Sequence, residues 1–159
     1  VLAFAKKPVS ADVESLEQRL TYAELWRRVR ALAGHLQTER RVRAGDRVLL
    51  VYPPSLEFVV GFLACHAAGA IAVPAFPPRR NRKASRIRSI VVDADARWAL
   101  STANVVDQLT GDRRHEDLIG VQLLGTDQEP GLDPGSWRRP KKMAPARKCW
   151  RFRTPSIRR

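Results

Sequence analysis

Several residue types on which functional sites commonly depend are scarce in this 159-residue chain, which has two cysteines, three histidines and one methionine. Cys65 and Cys149 form neither a disulfide framework nor a metal-ligand spacing, so a reducing, cytoplasmic setting is expected. His35, His66 and His115 are scattered, and none has a cysteine or carboxylate at the spacing of a metal site. We therefore predict no metal-ligating residue.

The nine glycines are also arranged unlike those of a phosphate-binding motif, with no GxxxxGK and no GxGxxG run. No serine lies in a GxSxG nucleophile motif. His66 is interpreted as a helix residue with a hydrogen-bonded ring. Asp93 and Asp95, two positions apart, are interpreted as a capping or turn pair. We assign no catalytic residue and no cofactor-binding residue.

Acidic residues are absent from the end of the chain. Residues 138–159 contain ten lysines and arginines and no acid, whereas residues 1–137 contain 19 basic and 16 acidic residues. Arginines interleaved with Trp150 and Phe152 would suit single-stranded nucleic acid. A frameshifted reading of the gene also explains this composition, and we favour it. Residues 138–159 are thus expected to be a disordered or frameshifted tail.

The densest apolar stretch runs from Val48 to Pro78. The β-branched residues of 48–51 predict a strand, which the following pair of prolines ends. Ser55 is suited to cap a helix over 56–68, and Ile71 begins a second strand. Strand, buried helix and strand in this order predict a crossover unit of a parallel sheet.

A membrane-spanning helix is the alternative for part of this stretch. Between Val59 and Phe76, His66 is the one ionisable residue, and a basic segment follows. Gly69, which is suited to a left-handed helix end, and Pro74 favour a helix and a strand instead.

The remaining elements are predicted from capping and periodicity. Residues 1–20 are interpreted as a polar arm. Thr21 and Glu24 form a capping-box pattern ahead of a helix whose apolar face comprises Leu25, Trp26, Val29, Leu32, Ala33 and Leu36, with Arg27, Arg28 and Arg30 opposite. Further on we expect strands at 98–101 and 121–124, with an amphipathic helix around 105–109 between them.

Basic residues are dense between Arg79 and Arg88. Such a cluster could bind phosphate, a membrane surface or nucleic acid. We favour a solvated helix face, because Ile87, Ile90, Val91 and Ala94 form an apolar stripe on the same helix. A non-enzymatic module that binds a polyanion through residues 79–88 and 138–159 is the alternative function, and nucleic acid is not the partner we expect.

Four sequence elements occur in the order found in one enzyme family. They are Leu20-Thr21-Tyr22-Ala23-Glu24-Leu25, the run from Tyr52-Pro53-Pro54 to Ala72-Val73-Pro74, the prolines Pro77-Pro78, and Trp137-Arg138-Arg139-Pro140. Together they resemble the N-terminal part of the acyl-adenylate-forming, AMP-binding ligases. The paired prolines resemble the fatty acyl-AMP ligases in particular.

The resemblance implies an α/β fold, with an incomplete parallel, Rossmann-like sheet flanked by helices. Residues 1–137 would be part of the N-terminal domain of the ligase. Full-length family members use ATP and Mg²⁺ to convert a fatty acid into an acyl-adenylate and pyrophosphate, and their partner is an acyl carrier protein. Because nothing here matches the family's phosphate loop or its C-terminal lysine, we expect a truncated or frameshifted fragment without activity.

Overall fold

The computed structural model describes residues 2–5, 17–77, 85–111, 118, 120–127 and 133–140. The elements over these residues, in chain order, are β1 (Leu2–Ala5), β2 (Glu17–Leu20), α1 (Tyr22–Thr38), β3 (Arg47–Leu50), α2 (Leu56–Ala68), β4 (Ile71–Pro74), α3 (Ser85–Ala94), β5 (Trp98–Ser101), α4 (Ala103–Gly111) and β6 (Gln122–Gly125). Within these ranges we find no helix that combines the length and the hydropathy of a membrane span.

Strands β3 to β6 form a four-stranded parallel sheet in the order β4-β3-β5-β6. In the register of this sheet, Val48 pairs with Ala72 on one side and with Trp98 on the other. Trp98 in turn pairs with Gln122 of β6. The predicted strand, helix and strand over residues 48–73 are therefore confirmed, as is an α/β fold with an incomplete parallel sheet.

Helices cover both faces of this sheet. Val48 and Leu50 of β3 belong to one buried cluster with α1 and α2, whereas Leu49 and Val51 belong to a second cluster with α3 and α4. Alternate residues of a strand point to opposite faces, and each of these four side chains is fully buried. Full burial of a leucine or valine stabilises the fold by about 1.5–3 kcal/mol. β3 is consequently the strand on which both halves of the core converge.

The helix α2 begins and ends where the sequence predicts. Ser55 has an extended backbone, and its hydroxyl accepts a hydrogen bond from the N–H of Phe58 (3.4 Å). Gly69 ends the helix in the left-handed conformation, with φ of +84°. A residue with a β-carbon is strained at this angle, which is why glycine suits the position. The unbroken membrane helix proposed as an alternative for residues 59–76 is therefore wrong.

The helix α1 carries the predicted capping box, because the Thr21 hydroxyl accepts from Glu24 N–H while the Glu24 carboxylate accepts from Thr21 N–H. Its predicted apolar face is buried except at Trp26, which is 51% exposed. Trp26 lies one position beyond Leu25, about 100° around the helix, so it falls at the border of the buried face. Its ring packs edge-on against Trp137, with 5.9 Å between the ring centroids.

The expectation of a polar arm over residues 1–20 is wrong in part. β1 and β2 pair antiparallel, with Leu2 opposite Leu20 and Ala5 opposite Glu17. This pairing joins segments that are distant along the chain, and Glu17–Leu20 lacks the β-branched and aromatic residues that mark a strand. Local sequence patterns could not have shown it.

Candidate functional site at the carboxyl edge of the sheet

The topology of the sheet marks one edge as the place for a ligand. β3 leads into α2 on one face, and β5 leads into α4 on the other. In open parallel sheets the crevice lies outside the carboxyl ends of adjacent strands whose connections diverge in this way. The candidate functional site is therefore the edge at which β3 and β5 end, next to the end of β6.

Three hydroxyl groups meet at this edge. Tyr52 follows β3, and its hydroxyl lies 2.8 Å from the hydroxyl of Thr126, which follows β6. The Thr126 hydroxyl donates to the carbonyl of Ser101 at the end of β5 (3.3 Å), so the Tyr52 hydroxyl is the donor in the first bond. The Ser101 hydroxyl donates to the carbonyl of Val51. The three strand ends are thereby joined by a continuous chain of hydrogen bonds.

Tyr52 is held deep in this edge. It is 3% exposed, and a β-carbon built on Gly61 of α2 would lie 3.0 Å from its hydroxyl oxygen. Gly61 therefore provides the space in which the tyrosine ring lies on the helix. Burial raises the pKa of Tyr52 well above its usual value of 10.0. The phenol stays protonated at neutral pH and serves as a hydrogen-bond donor.

The helix N-termini at this edge already have partners. The Asp127 carboxylate accepts a hydrogen bond from the N–H of Ala103 (2.6 Å), at the start of α4. The Ser55 hydroxyl caps α2 and donates to the carbonyl of Pro53 (3.0 Å). Because these polar groups bond to one another, the edge holds its loops in place and presents no free nucleophile or general base.

Of the residues that the sequence analysis considered for chemistry, none is brought into this edge. His66 is exposed on α2, and its ring packs edge-on against Phe62, with 4.7 Å between the centroids. Asp95 lies in a turn after α3 with φ of +47°, in agreement with its interpretation as a turn residue. Cys65 is buried, and burial raises the pKa of its thiol to about 12. Among the described residues there is no cluster that could hold a metal ion.

The proposed anion-binding stretch is described in part. Arg88 is exposed on α3, while Ile87 of the predicted apolar stripe is buried and Ile90 is half-buried. Residues 79–84 and 141–159 lie outside the described residues. The predicted tail thus stays a prediction, as does its boundary, although Arg138 to Pro140 are described.

A cavity of about 700 Å³ lies at the opposite, amino edge of the sheet. It is lined by five arginines (Arg40, Arg41, Arg43, Arg47 and Arg97), three acids (Glu39, Asp46 and Asp95), and Trp98, Gly120 and Gln122. The C-terminal ends of α1 and α3 meet here, and helix C-termini favour cations. Together with the three carboxylates, these helix ends account for most of the arginine charge.

The sequence analysis did not single out Thr126 or Asp127. Their signal was positional, because both follow directly after the strand predicted at 121–124. Polar residues that follow parallel strands meet at one edge, as Thr126 and Tyr52 do here.

These observations define a class: an α/β protein whose parallel sheet is covered on both faces, with a carboxyl edge that supports loops. The family described as AMP-binding enzyme matches residues 3–148. The chain belongs to this family.

Three similar proteins show the extent of the match. The medium-chain-fatty-acid–[acyl-carrier-protein] ligase JamA of Moorena producens is 32% identical over 126 residues, covering 76% of this chain and 21% of JamA. The long-chain-fatty-acid–AMP ligase FadD23 of Mycobacterium tuberculosis is 30% identical over 104 residues, covering 65% of this chain and 18% of FadD23. The crystal structure of fatty acyl-adenylate ligase from Legionella pneumophila superposes with a TM-score of 0.69 and 26% identity, over 84% of this chain and 22% of the ligase. The chain spans about a fifth of the length of these relatives.

Proposed function

We propose that this chain is the scaffold portion of the large domain of an ATP-dependent fatty acyl-AMP ligase. The observation that carries the proposal is the superposition on the Legionella ligase, whose structure contains acyl adenylate and pyrophosphate. That structure covers 84% of this chain, while this chain covers 22% of the ligase. The names of JamA and FadD23, fatty-acid ligases that act on an acyl carrier protein and with AMP, support the same substrate class.

The reaction of the whole enzyme would join a fatty acid to ATP, giving an acyl-adenylate and pyrophosphate. ATP with Mg²⁺ would be the cofactor, and the thiol of an acyl carrier protein would accept the acyl group. The phosphates develop charge in this reaction, which requires hydrogen-bond donors and cations aimed at them. We place the enzyme in the cytoplasm, where the thiol of Cys65 would remain reduced.

This chain's contribution to such an enzyme would be mechanical. The hydrogen bonds from Tyr52 through Thr126 to Ser101 hold three strand ends together, and Asp127 and Ser55 hold the starts of α4 and α2. The resulting edge is a rigid base for loops that carry the chemistry. No motif in the 159 residues supplies the phosphate-binding loop itself, so the polypeptide alone should form no acyl-adenylate.

An ATP–pyrophosphate exchange assay tests the absence of activity. The purified 159-residue chain is incubated with ATP, Mg²⁺, labelled pyrophosphate and either a medium-chain or a long-chain fatty acid. Full-length JamA and FadD23 are the positive controls. We expect no exchange above the protein-free background, and turnover by the isolated chain would show that it is more than a scaffold.

A chimera tests the scaffold role itself. Residues 1–140 of this chain replace the aligned segment of JamA, and a second variant lacks that segment altogether. If the two segments build equivalent scaffolds, the chimera regains exchange with medium-chain fatty acids and the deletion does not. A chimera that melts cooperatively, as followed by circular dichroism, but catalyses no exchange contradicts the proposal.

A further inference from the structure

We infer that residues 133–140 form a strap that docks reversibly across α1 and α2, with Gly34 and Gln37 as the residues that position it. On the proposed function, the strap fixes the place from which the chain continues towards the phosphate loop, because the family has its Trp-Arg-x-Pro element shortly before that loop. The inference is carried by the fit at Gly34, the polar contacts of Gln37 and the surroundings of Trp137.

Gly34 lies in the interior of the 17-residue helix α1 and is buried. Glycine is a poor helix residue compared with alanine, so its presence here requires a reason. A β-carbon on Gly34 would overlap the hydroxyl of Ser136 and would lie 2.8 Å from the backbone nitrogen of Trp137. The absence of a side chain at position 34 is what allows the strap to approach the helix.

Polar contacts fix the strap's register on the two helices. The Gln37 side chain donates to the carbonyl of Arg138 (2.9 Å) and accepts from its N–H (3.0 Å). The Trp137 indole N–H donates to the carbonyl of Ala67 in the last turn of α2 (2.8 Å). The strap is thus bonded to α1 at one residue and to α2 at the next.

The strap also has an internal turn that does not depend on docking. The Asp133 carboxylate accepts from Gly135 N–H (2.8 Å), and the Ser136 hydroxyl donates to the Asp133 carbonyl (2.7 Å). Asp133, Gly135, Arg138 and Arg139 are exposed. A segment that keeps its own turn and buries little apolar surface can open locally while the rest of the fold stays intact.

A buried donor beneath the strap makes opening easier. The guanidinium of Arg30 lies over the Trp137 ring, 5.7 Å from its centroid. The Nε of Arg30 is buried without a hydrogen-bond partner among the described residues. Leaving a buried donor unpaired is unfavourable, and water would reach this group once the strap opened.

At its far end the strap delivers the chain to a defined place. A β-carbon built on Gly69, the last residue of the α2 cap, would lie 3.1 Å from Cβ of Pro140 and 3.3 Å from Cβ of Ala44. Pro140 therefore packs where α2 ends, next to the beginning of the edge strand β4. Docking of the strap sets the position of everything that follows residue 140.

Fluorine NMR of the full chain labelled with 5-fluorotryptophan tests this inference. The four tryptophans give separate signals, and the variant Trp137→Phe assigns the signal of the strap. In Gly34→Ala we expect the Trp137 signal to shift to the position it has in urea, with a larger H₂O/D₂O shift, while the Trp98 signal stays in place. The melting temperature should not fall, because alanine favours the helix.

The matched control is Gly111→Ala, which also adds a methyl group to a helical glycine but has no atom within 4 Å of the new carbon. It should leave the Trp137 signal unchanged. Gln37→Ala, which removes two hydrogen bonds without adding atoms, should broaden or shift the same signal towards the open position.

Two results would overturn the inference. The Trp137 signal could stay in place in Gly34→Ala, which would mean that the strap does not depend on this glycine. Alternatively, the variant could lose its cooperative melt, which would make residues 133–140 an inseparable part of the fold. Both readouts are independent of adenylation, so failure here leaves the proposed function standing, and the converse also holds.

Discussion

The side chain of Gln37 and the backbone of Arg138 are joined by two hydrogen bonds, one in each direction, across 101 residues of sequence. The amide of glutamine offers a donor and an acceptor side by side, which matches the carbonyl and N–H of one residue. This pair ties the Trp-Arg-x-Pro element to the first long helix, and it was not recognisable in the sequence.

Replacing Gln37 with alanine should open this attachment locally. We expect the amide proton of Arg138 to exchange with solvent about fivefold faster, since a net hydrogen bond contributes about 1 kcal/mol. Hydrogen exchange followed by NMR measures this rate. Gln108→Ala is the control, because Gln108 also donates through its side-chain amide, to Asn104 on exposed α4. Equal rates in wild type and Gln37→Ala would contradict the assigned role.

The bond between Tyr52 and Thr126 should stabilise the carboxyl edge measurably. Tyr52→Phe leaves the ring in place and removes the buried hydroxyl, so we expect a loss of about 1–2 kcal/mol in the free energy of unfolding. Thr126→Val removes the other partner. A double-mutant cycle measured by urea denaturation should give a coupling of about 1 kcal/mol. Additive effects of the two substitutions would show that the bond contributes nothing.

The capping box of α1 should make stability depend on pH at the acidic end. The pKa of Glu24 is lowered from 4.5, first by the backbone N–H of Thr21 and then by its hydroxyl. A lowered pKa in the folded state contributes stability that is present above 4.5 and is lost as the pH falls through the folded value. In Thr21→Ala the pKa of Glu24 should rise towards 4.5, which an NMR titration of its side-chain carbon measures. An unchanged pKa would contradict this.

The thiol of Cys65 should act at the alkaline end. Burial raises its pKa from 9.0 to about 12, so the unfolded chain ionises first as the pH rises. The free energy of unfolding should fall between these two values, and Cys65→Ala should remove that part of the fall. Urea denaturation at roughly pH 7 and roughly pH 10.5 compares the two proteins, with Cys149→Ser as the control. Parallel losses in wild type and Cys65→Ala would sink the prediction.

Much of the sheet was predictable because its signals are local. Pro53 and Pro54 end one strand, Ser55 starts a helix and Gly69 ends it, and each acts through its own backbone or immediate neighbours. The capping box of Thr21 and Glu24 is equally local. In these segments, residue type alone was enough to place the boundaries.

The candidate site was less predictable because its residues come from different segments. Tyr52 and Thr126 are 74 positions apart, and their contact depends on the order of the strands in the sheet. The polar loop after residue 124 showed only that a turn follows. Trp26 was misplaced for a related reason, since its exposure depends on where Trp137 docks.

The sequence by itself determined the parallel α/β architecture, the helix ends and the absence of a phosphate-binding motif within these 159 residues, because periodicity, capping and spacing act over a few neighbouring residues. Tertiary structure decided the strand order, the chain of hydroxyls at the carboxyl edge, the β1–β2 pairing and the docking of residues 133–140 on Gly34. These features join distant segments, and their free energy arises only when the packed core brings the partners within reach.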